Sequence, residues 1–190
     1  MTSTGPTTRT ADRAGRSVAR IVAALAGVAV GALLVHRFGV FTTLVRSGSM
    51  RPTLEPGDLL VTSRLRRGTR VRRGDLVVFR SRLRGGALVK RVVGLPGERI
   101  EIAGGMVRAD GAPVAEPVAR PAGGYRGRFA VPADGYLVLG DDSEASDDSR
   151  SWADPYVRRR DLRGIVRARL PRRGERPTVV AWRSWRRRVR

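Results

Sequence analysis

The sequence predicts a mainly β protein, in which an antiparallel, barrel-like domain follows one N-terminal transmembrane helix. From residue 40 onward, short segments rich in Val, Leu and Ile are separated by turn residues such as Asp110-Gly111 and Asp134-Gly135. No long amphipathic pattern lies between these segments, which favours an antiparallel sheet over alternating strands and helices. Ahead of them, Ile21–Val35 is uncharged and mostly apolar, as a segment that enters a bilayer must be.

The first 38 residues predict a leader and an anchor. Residues 1–16 are rich in Thr, Ser, Gly and Arg without an apolar period, which predicts a disordered leader. We assign residues 17–38 as the anchor, because a helix counted from Ser17 to Val35 would measure roughly 28 Å, close to the hydrocarbon thickness. A cleaved targeting segment and a buried soluble helix are the alternatives. The triplet Ala24-Leu25-Ala26 lies inside the run rather than after it, which favours an uncleaved anchor.

Residues 39–174 are assigned to the β-rich domain. Its predicted strands are Leu59–Thr62, Leu76–Arg80, Ala87–Val93, Arg99–Ile102, Arg128–Val131, Tyr136–Leu139 and Gly164–Leu170. Residues 103–127, rich in Gly, Ala and Pro, are expected to form a looser cap. The basic tail 175–190 contains Trp182 and Trp185, and it either lies on an anionic membrane face or is a disordered end.

The composition restricts the chemistry. The 190-residue chain has no cysteine, which excludes disulfides, a thiol nucleophile and thiolate metal sites. Its net charge of +21 suits nucleic acid or anionic lipid, or reflects an arginine bias spread over solvated faces. The aromatic residues, 5% of the chain, do not alternate with arginine as a stacking platform requires, so no nucleic acid partner is expected.

A candidate nucleophile lies in the turn Ser47–Leu54, just past the apolar run. A turn with two serines, a glycine and a proline can present a hydroxyl beside free backbone N–H groups, as acyl transfer requires. We predict Ser49 as the nucleophile. The Ser49 N–H and the Ser47 hydroxyl are the candidate oxyanion donors. Ser-Gly-Ser is also ordinary linker composition, so this motif alone is weak.

The candidate base is Lys90. The chain has 38 basic residues, and Lys90 is the one lysine among them. Arginine does not release its proton in a protein, whereas a buried lysine can become neutral. Its pKa must fall from about 10.4 toward 7–8, which an apolar strand and a positively charged domain both favour. Strand alternation predicts that Lys90 points inward and Arg91 outward.

Other sites are excluded on spacing. The acidic segment Asp141–Asp154 lacks the Asp-x-Asp-x-Asp-Gly order of a calcium loop, so no metal is expected. A Ser-x-x-Lys motif is impossible, because Ala87 stands three positions before the lysine. A Ser-His-Asp triad would need His36, which the apolar run carries to a membrane edge.

Four segments, in order, resemble the boxes of the bacterial type I signal peptidases: Ser47–Leu54, Arg73–Phe79, Lys90–Glu98 and Gly140–Arg150. The resemblance spans most of residues 17–170. It implies that Ser146 orients the lysine amine and that Asp148 and Arg150 pair to hold the loop, while Arg91 supports the site from the lysine's own box. Asp142 stands where this family usually carries asparagine, which puts the details of that turn in doubt.

The resemblance implies a membrane-bound serine endopeptidase, with its N-terminus in the cytoplasm, that removes signal peptides outside the bacterial cell membrane. Its partners would be preproteins with small residues at the first and third positions before the cut, together with membrane lipids. No cofactor is expected. One alternative is a self-cleaving repressor-type Ser-Lys peptidase, although such a protein would carry a DNA-binding module. Two others are a tethered cationic binding module and an inactive relative.

Overall fold

The computed structural model describes residues 22–30, 32–33, 39–81, 85–114 and 124–170. The chain divides into two units after Gly39. The predicted leader 1–16, the tail 175–190 and His36 lie outside the described residues.

The N-terminal unit is helical at residues 22–30 and 32–33. Its large apolar side chains are 55–69% exposed: Val22, Leu25, Val28, Val30 and Leu33. None of the helices in the described part of the chain combines the length and the apolar character that a membrane crossing requires.

The described residues of the second unit form eleven strands. In chain order they are β1 (Val40–Leu44), β2 (Leu59–Arg64), β3 (Leu76–Arg80), β4 (Ala87–Gly94), β5 (Arg99–Ala103), β6 (Met106–Ala109), β7 (Ala112–Pro113), β8 (Gly127–Ala130), β9 (Gly135–Leu139), β10 (Tyr156–Arg158) and β11 (Leu162–Leu170). A short 3₁₀ turn, Arg159–Asp161, leads into β11. The predicted mainly β, antiparallel fold is confirmed.

The strands form two antiparallel sheets. The larger one has the order β1-β2-β11-β3-β4-β9-β10, and the smaller one has the order β7-β6-β5-β8. The segment 103–127, predicted as a looser cap, contributes β6 and β7 to the small sheet within its described residues.

Both faces of the large sheet are covered at its central strand β3. In β3, all four residues from Leu76 to Phe79 are buried. Val77 and Phe79 join a core cluster with Val92 on one face, and Leu76 and Val78 join a second cluster on the other. Period-2 alternation would leave one face polar, so this continuous apolar run indicates a central strand packed on both sides.

Gly94 lies at a close contact between the two sheets. A Cβ placed on Gly94, at the end of β4, would lie 2.8 Å from Ile100 and 2.9 Å from both Leu137 and Val131. The register between β4 and β9 shifts at this point, between Val92 and Gly94. The missing side chain therefore allows β4 to leave the large sheet and enter the small one through β5.

Candidate active site

The loop that carries Ser49 is anchored by two buried apolar side chains. Met50 and Leu54 are almost fully buried in the core cluster that also contains Leu60. Backbone hydrogen bonds from Arg51 to Gly48 and from Leu54 to Met50 close the turn, and the Arg51–Pro52 peptide is cis. The burial of these side chains fixes the loop to the sheet and leaves Ser49 half-buried at its surface.

Ser47 and Ser49 lie side by side. Their Oγ atoms are 3.4 Å apart, with either hydroxyl able to donate. Among the hydrogen bonds of the described residues, none is donated by the Ser49 N–H. The two groups predicted as oxyanion donors thus belong to the same turn as the predicted nucleophile.

Lys90 lies in the middle of β4, where it pairs with Val77 of β3. Its side chain is 2% exposed, and its Nζ donates a 2.8 Å hydrogen bond to the Ser146 Oγ. Burial lowers the pKa of Lys90 to about 8, although the carboxylates of Asp148 and Asp147 act in the opposite direction. The lysine therefore loses its proton near pH 8, well below the pH at which an exposed lysine does so.

The loop after β9 supports the lysine. Asp148 is fully buried, and it accepts hydrogen bonds from the Gly140 N–H at 2.8 Å and from Arg150 Nε and Nη2 at 2.9 and 2.8 Å. Burial alone would raise the pKa of Asp148, but these hydrogen bonds outweigh it and hold that pKa below its usual value. Asp148 therefore stays ionised and keeps Arg150 in place.

Gly140 is the point at which the Ser49 loop and the Ser146 loop meet. A Cβ on Gly140 would lie 2.0 Å from the Ser146 Oγ and 2.4 Å from the Ser49 carbonyl oxygen. That carbonyl accepts a 3.2 Å hydrogen bond from the Asp142 N–H. The two loops are therefore in contact, although no hydrogen bond joins the Ser49 hydroxyl to Lys90 in the described residues.

Arg91 lies on the opposite face of β4 from Lys90. It connects the Ser49 loop, the loop after β9 and the segment before β3. Its Nε and Nη2 bind the two carboxylate oxygens of Asp141 at 2.7 and 2.5 Å, and its Nη1 donates to the Gly74 carbonyl at 3.0 Å. Thr53, from the nucleophile loop, donates to Asp141 Oδ2 at 2.5 Å and accepts from Arg91 Nη2 at 3.3 Å. Sequence reasoning missed this role of Thr53, since nothing local links it to a carboxylate 88 positions away.

The predicted outward orientation of Arg91 is wrong. The alternation itself holds, because Arg91 pairs with Leu76 while Lys90 pairs with Val77. However, Arg91 is only 3% exposed, because the Thr53 and Asp141 segments cover its face of the sheet.

Asp142 takes a role that an asparagine can also fill. Its Oδ1 accepts hydrogen bonds from the backbone N–H groups of Glu144 and Ala145 at 3.3 and 3.1 Å. An Asn side-chain oxygen would accept the same two bonds. In this respect the turn is unchanged by the substitution.

A comparison with known protein families shows to which family the chain belongs. Residues 18–170 match the family model described as signal peptidase, peptidase S26. The chain belongs to the signal peptidase family. The resemblance predicted from the four boxes is thereby confirmed, and the chain is a serine endopeptidase of this family.

The chain is similar to individual signal peptidases of other organisms. The chain is 36% identical over 148 residues to a signal peptidase I of Leptolyngbya laminosa, and the aligned region covers 72% of each protein. It is also 36% identical over 142 residues to a signal peptidase I of Bacillus caldolyticus, covering 66% of this chain and 78% of the relative. A crystal structure of an Enterococcus faecalis V583 signal peptidase I aligns with a TM-score of 0.45 and 26% identity, covering 51% of this chain and 97% of that one.

Proposed function

We propose that this signal peptidase family member removes N-terminal signal peptides from exported preproteins, with Ser49 as nucleophile and Lys90 as general base. The observation that carries the proposal is the state of Lys90. The one lysine of the chain is buried and bound to Ser146, and its pKa of about 8 makes a neutral amine accessible at physiological pH.

The chemistry follows from these groups. The Ser49 Oγ attacks the scissile carbonyl carbon while its proton passes to Lys90 Nζ, and the Ser49 N–H and Ser47 hydroxyl bind the oxyanion. The carbon–nitrogen bond then breaks, and Lys90 returns the proton to the leaving amine. Water attacks the acyl ester, again losing its proton to Lys90, and Ser49 is regenerated. No cofactor takes part in these steps.

One side-chain movement is required. The Ser49 hydroxyl is hydrogen-bonded to Ser47, so it must turn away from Ser47 toward the lysine before it can lose its proton. Rotation between staggered rotamers is sufficient for a movement of this kind, and catalytic hydrogen bonds commonly shorten when substrate binds. The contact of both loops at Gly140 places the Ser49 backbone beside the loop that carries Ser146, the hydrogen-bond partner of Lys90.

The membrane location is also a proposal. We place residues 17–38 as the anchor, because the apolar side chains of the described helix are mostly exposed. The β-rich unit is placed on the extracytoplasmic side, because the family resemblance implies that side. An exposed apolar row on the large sheet also supports a lipid-facing surface. Leu44 pairs with Leu59 and Leu59 pairs with Leu170 across β1, β2 and β11, with exposures of 54%, 37% and 40%.

The test is cleavage of a purified precursor whose signal peptide ends in Ala-x-Ala, followed by mass spectrometry. We expect the full-length chain in detergent to release the trimmed product, and both Ser49→Ala and Lys90→Arg to abolish it, since arginine keeps the charge but cannot become neutral. Ser63→Ala removes a hydroxyl distant from the site and should cleave normally. Cleavage by Ser49→Ala would reject Ser49 as the nucleophile, whereas the absence of cleavage by the wild type would favour the tethered cationic binding module.

A further inference from the structure

Tyr125 packs against the back of the catalytic loop. The Arg150 guanidinium carbon lies 5.9 Å from the centre of the Tyr125 ring, within the range of a cation–π contact. The tyrosine hydroxyl is also 3.5 Å from the Arg150 carbonyl oxygen. The ring packs against the core cluster of the small sheet, so it joins that sheet to the loop after β9.

Gly127 provides the space for this ring. A Cβ at Gly127, two residues further along the chain, would lie 2.7 Å from the Tyr125 hydroxyl oxygen and 2.9 Å from a ring carbon. Gly127 does not have a positive φ, so the backbone conformation does not demand glycine there. The close approach of the ring explains the missing side chain, and it fixes the ring between the small sheet and Arg150.

Arg150 links the Tyr125 ring to Lys90 through Asp148 and Ser146. Its guanidinium is bound through Nε and Nη2 to Asp148, which in turn accepts the Gly140 N–H and interacts with Ser146. Ser146 accepts the hydrogen bond from Lys90. A continuous set of contacts therefore runs from the Tyr125 ring to the lysine amine.

We propose that Tyr125 is a positioning residue for Lys90, because its ring holds the Arg150 guanidinium against Asp148 and so fixes the loop that binds the amine. The proposal rests on the proposed function of Lys90 as general base. Tyr125 lies in the segment that sequence analysis assigned to a cap, outside the four boxes of the family resemblance. The small sheet thereby acquires a role in the reaction, although no residue of it touches the reacting atoms.

The charges around the amine determine in which direction loss of the Tyr125 ring would shift the pKa of Lys90. Asp148, Asp147 and Asp141 raise the pKa of Lys90, whereas burial and Arg150 lower it. Without the aromatic ring, Arg150 would be less firmly held and water could reach the loop. Both changes raise the pKa of Lys90, so a smaller fraction of the amine is neutral at pH 7.

The test compares Tyr125→Leu with Tyr125→Phe, using Tyr156→Leu as a matched control. Phenylalanine keeps the aromatic face and loses only the long hydroxyl contact. Tyr156 packs against the same core cluster and lies 6.0 Å beneath a guanidinium, but its arginine, Arg158, pairs with Asp134 and Asp154 at the surface. A purely structural role of Tyr125 would make the two leucine variants behave alike.

Two readouts are measured on the full-length chain. The first is the acid limb of kcat/KM against pH, with kcat and KM resolved at pH 7. The second is titration of Lys90 itself by NMR, using protein labelled with ¹³C at lysine Cε, which needs no catalysis. For Tyr125→Leu we expect both midpoints to rise by roughly 0.5 pH unit or more, kcat at pH 7 to fall about threefold, and KM to change little. Tyr125→Phe and Tyr156→Leu should titrate as the wild type does.

An unchanged lysine midpoint in folded Tyr125→Leu overturns the proposal, as does an equal shift in Tyr156→Leu. If the leucine variant does not fold, Tyr125→Met, which retains more side-chain volume, is measured by the same criteria. The NMR titration also distinguishes a failure of the Tyr125 proposal from a failure of the proposed serine mechanism. A shifted midpoint in a protein whose Ser49→Ala variant still cleaves would support the role of Tyr125 and reject the serine mechanism.

Discussion

Lys90 Nζ donates its hydrogen bond to the Ser146 Oγ at 2.8 Å, in a site where the amine is nearly inaccessible to water. A protonated lysine has three N–H donors and no acceptor, so burial with one hydrogen-bond partner among the described residues disfavours the charged form. The serine hydroxyl can also donate to the lone pair of a neutral amine. This one contact therefore fits both protonation states and holds the amine in place throughout proton transfer.

The protonation of Lys90 can be observed without interference. Because the chain has one lysine, ¹³Cε-lysine labelling should give a single side-chain resonance. We expect it to titrate with a midpoint of about 8, and kcat/KM should rise through the same pH, since the base acts only when neutral. In urea the midpoint should return to about 10.4. A folded-state midpoint near 10 would reject the amine as a base at neutral pH.

Gly140→Ala is expected to inactivate the enzyme. The added Cβ would overlap both the Ser146 Oγ and the Ser49 carbonyl oxygen, so the two loops must separate. Misplacement of the reacting groups by about 1 Å can cost roughly 100-fold in rate. The measurement is kcat/KM on the precursor. Gly124→Ala is the control, because nothing lies within 4 Å of its added Cβ, and it should retain wild-type activity.

Arg91→Lys should be strongly destabilising although the charge is conserved. Arg91 binds both oxygens of Asp141, and a lysine cannot reproduce that planar, two-point contact. Weakening a buried ion pair of this kind costs up to about 3–5 kcal/mol in unfolding free energy, measurable by urea denaturation. Arg128→Lys gives the comparison, since its pair with Glu101 is exposed and should change stability by less than about 1 kcal/mol. Equal losses in both variants would contradict the structural role of the Arg91 pair.

Thr62→Val should stabilise the fold. Thr62 is fully buried in β2, and its hydroxyl has no hydrogen-bond partner among the described residues. A buried hydroxyl without a partner costs about 1–3 kcal/mol, which an apolar side chain of the same shape recovers. Thermal unfolding should therefore show a Tm higher by roughly 2–4 °C or more. Thr42→Val on the exposed face of β1 tests whether β propensity alone produces such a gain, and we expect it to have little effect.

The sequence predicted the longer strands well and the short edge strands poorly. The segments Leu76–Arg80 and Ala87–Val93 are recognisable because both are rich in Val and Leu, as strands buried in the centre of a sheet are, although the second also contains Lys90 and Arg91. The two residues of β7 and the three of β10 carry no such pattern. Those strands exist because a neighbouring strand offers unpaired backbone groups, and that information is tertiary.

In the candidate site too, some residues could be predicted from the sequence and others could not. Lys90 is identifiable because it is the one lysine in an arginine-rich chain, and a base for the serine must be able to lose its proton. The support from Ser146 and Arg150 entered only through the family resemblance. The contacts of Thr53 with Asp141 and of Tyr125 with Arg150 required coordinates, since they join residues 88 and 25 positions apart.

The parts of the site are spread along the chain. Ser49 precedes β2, Lys90 lies on β4, and the loop from Gly140 to Arg150 follows β9. Contacts between such distant segments form late, since each requires the intervening chain to be closed first. Until the strands β4 and β9 have joined the sheet, the turn that carries Ser49 therefore lies apart from Lys90 and from the loop that binds the lysine.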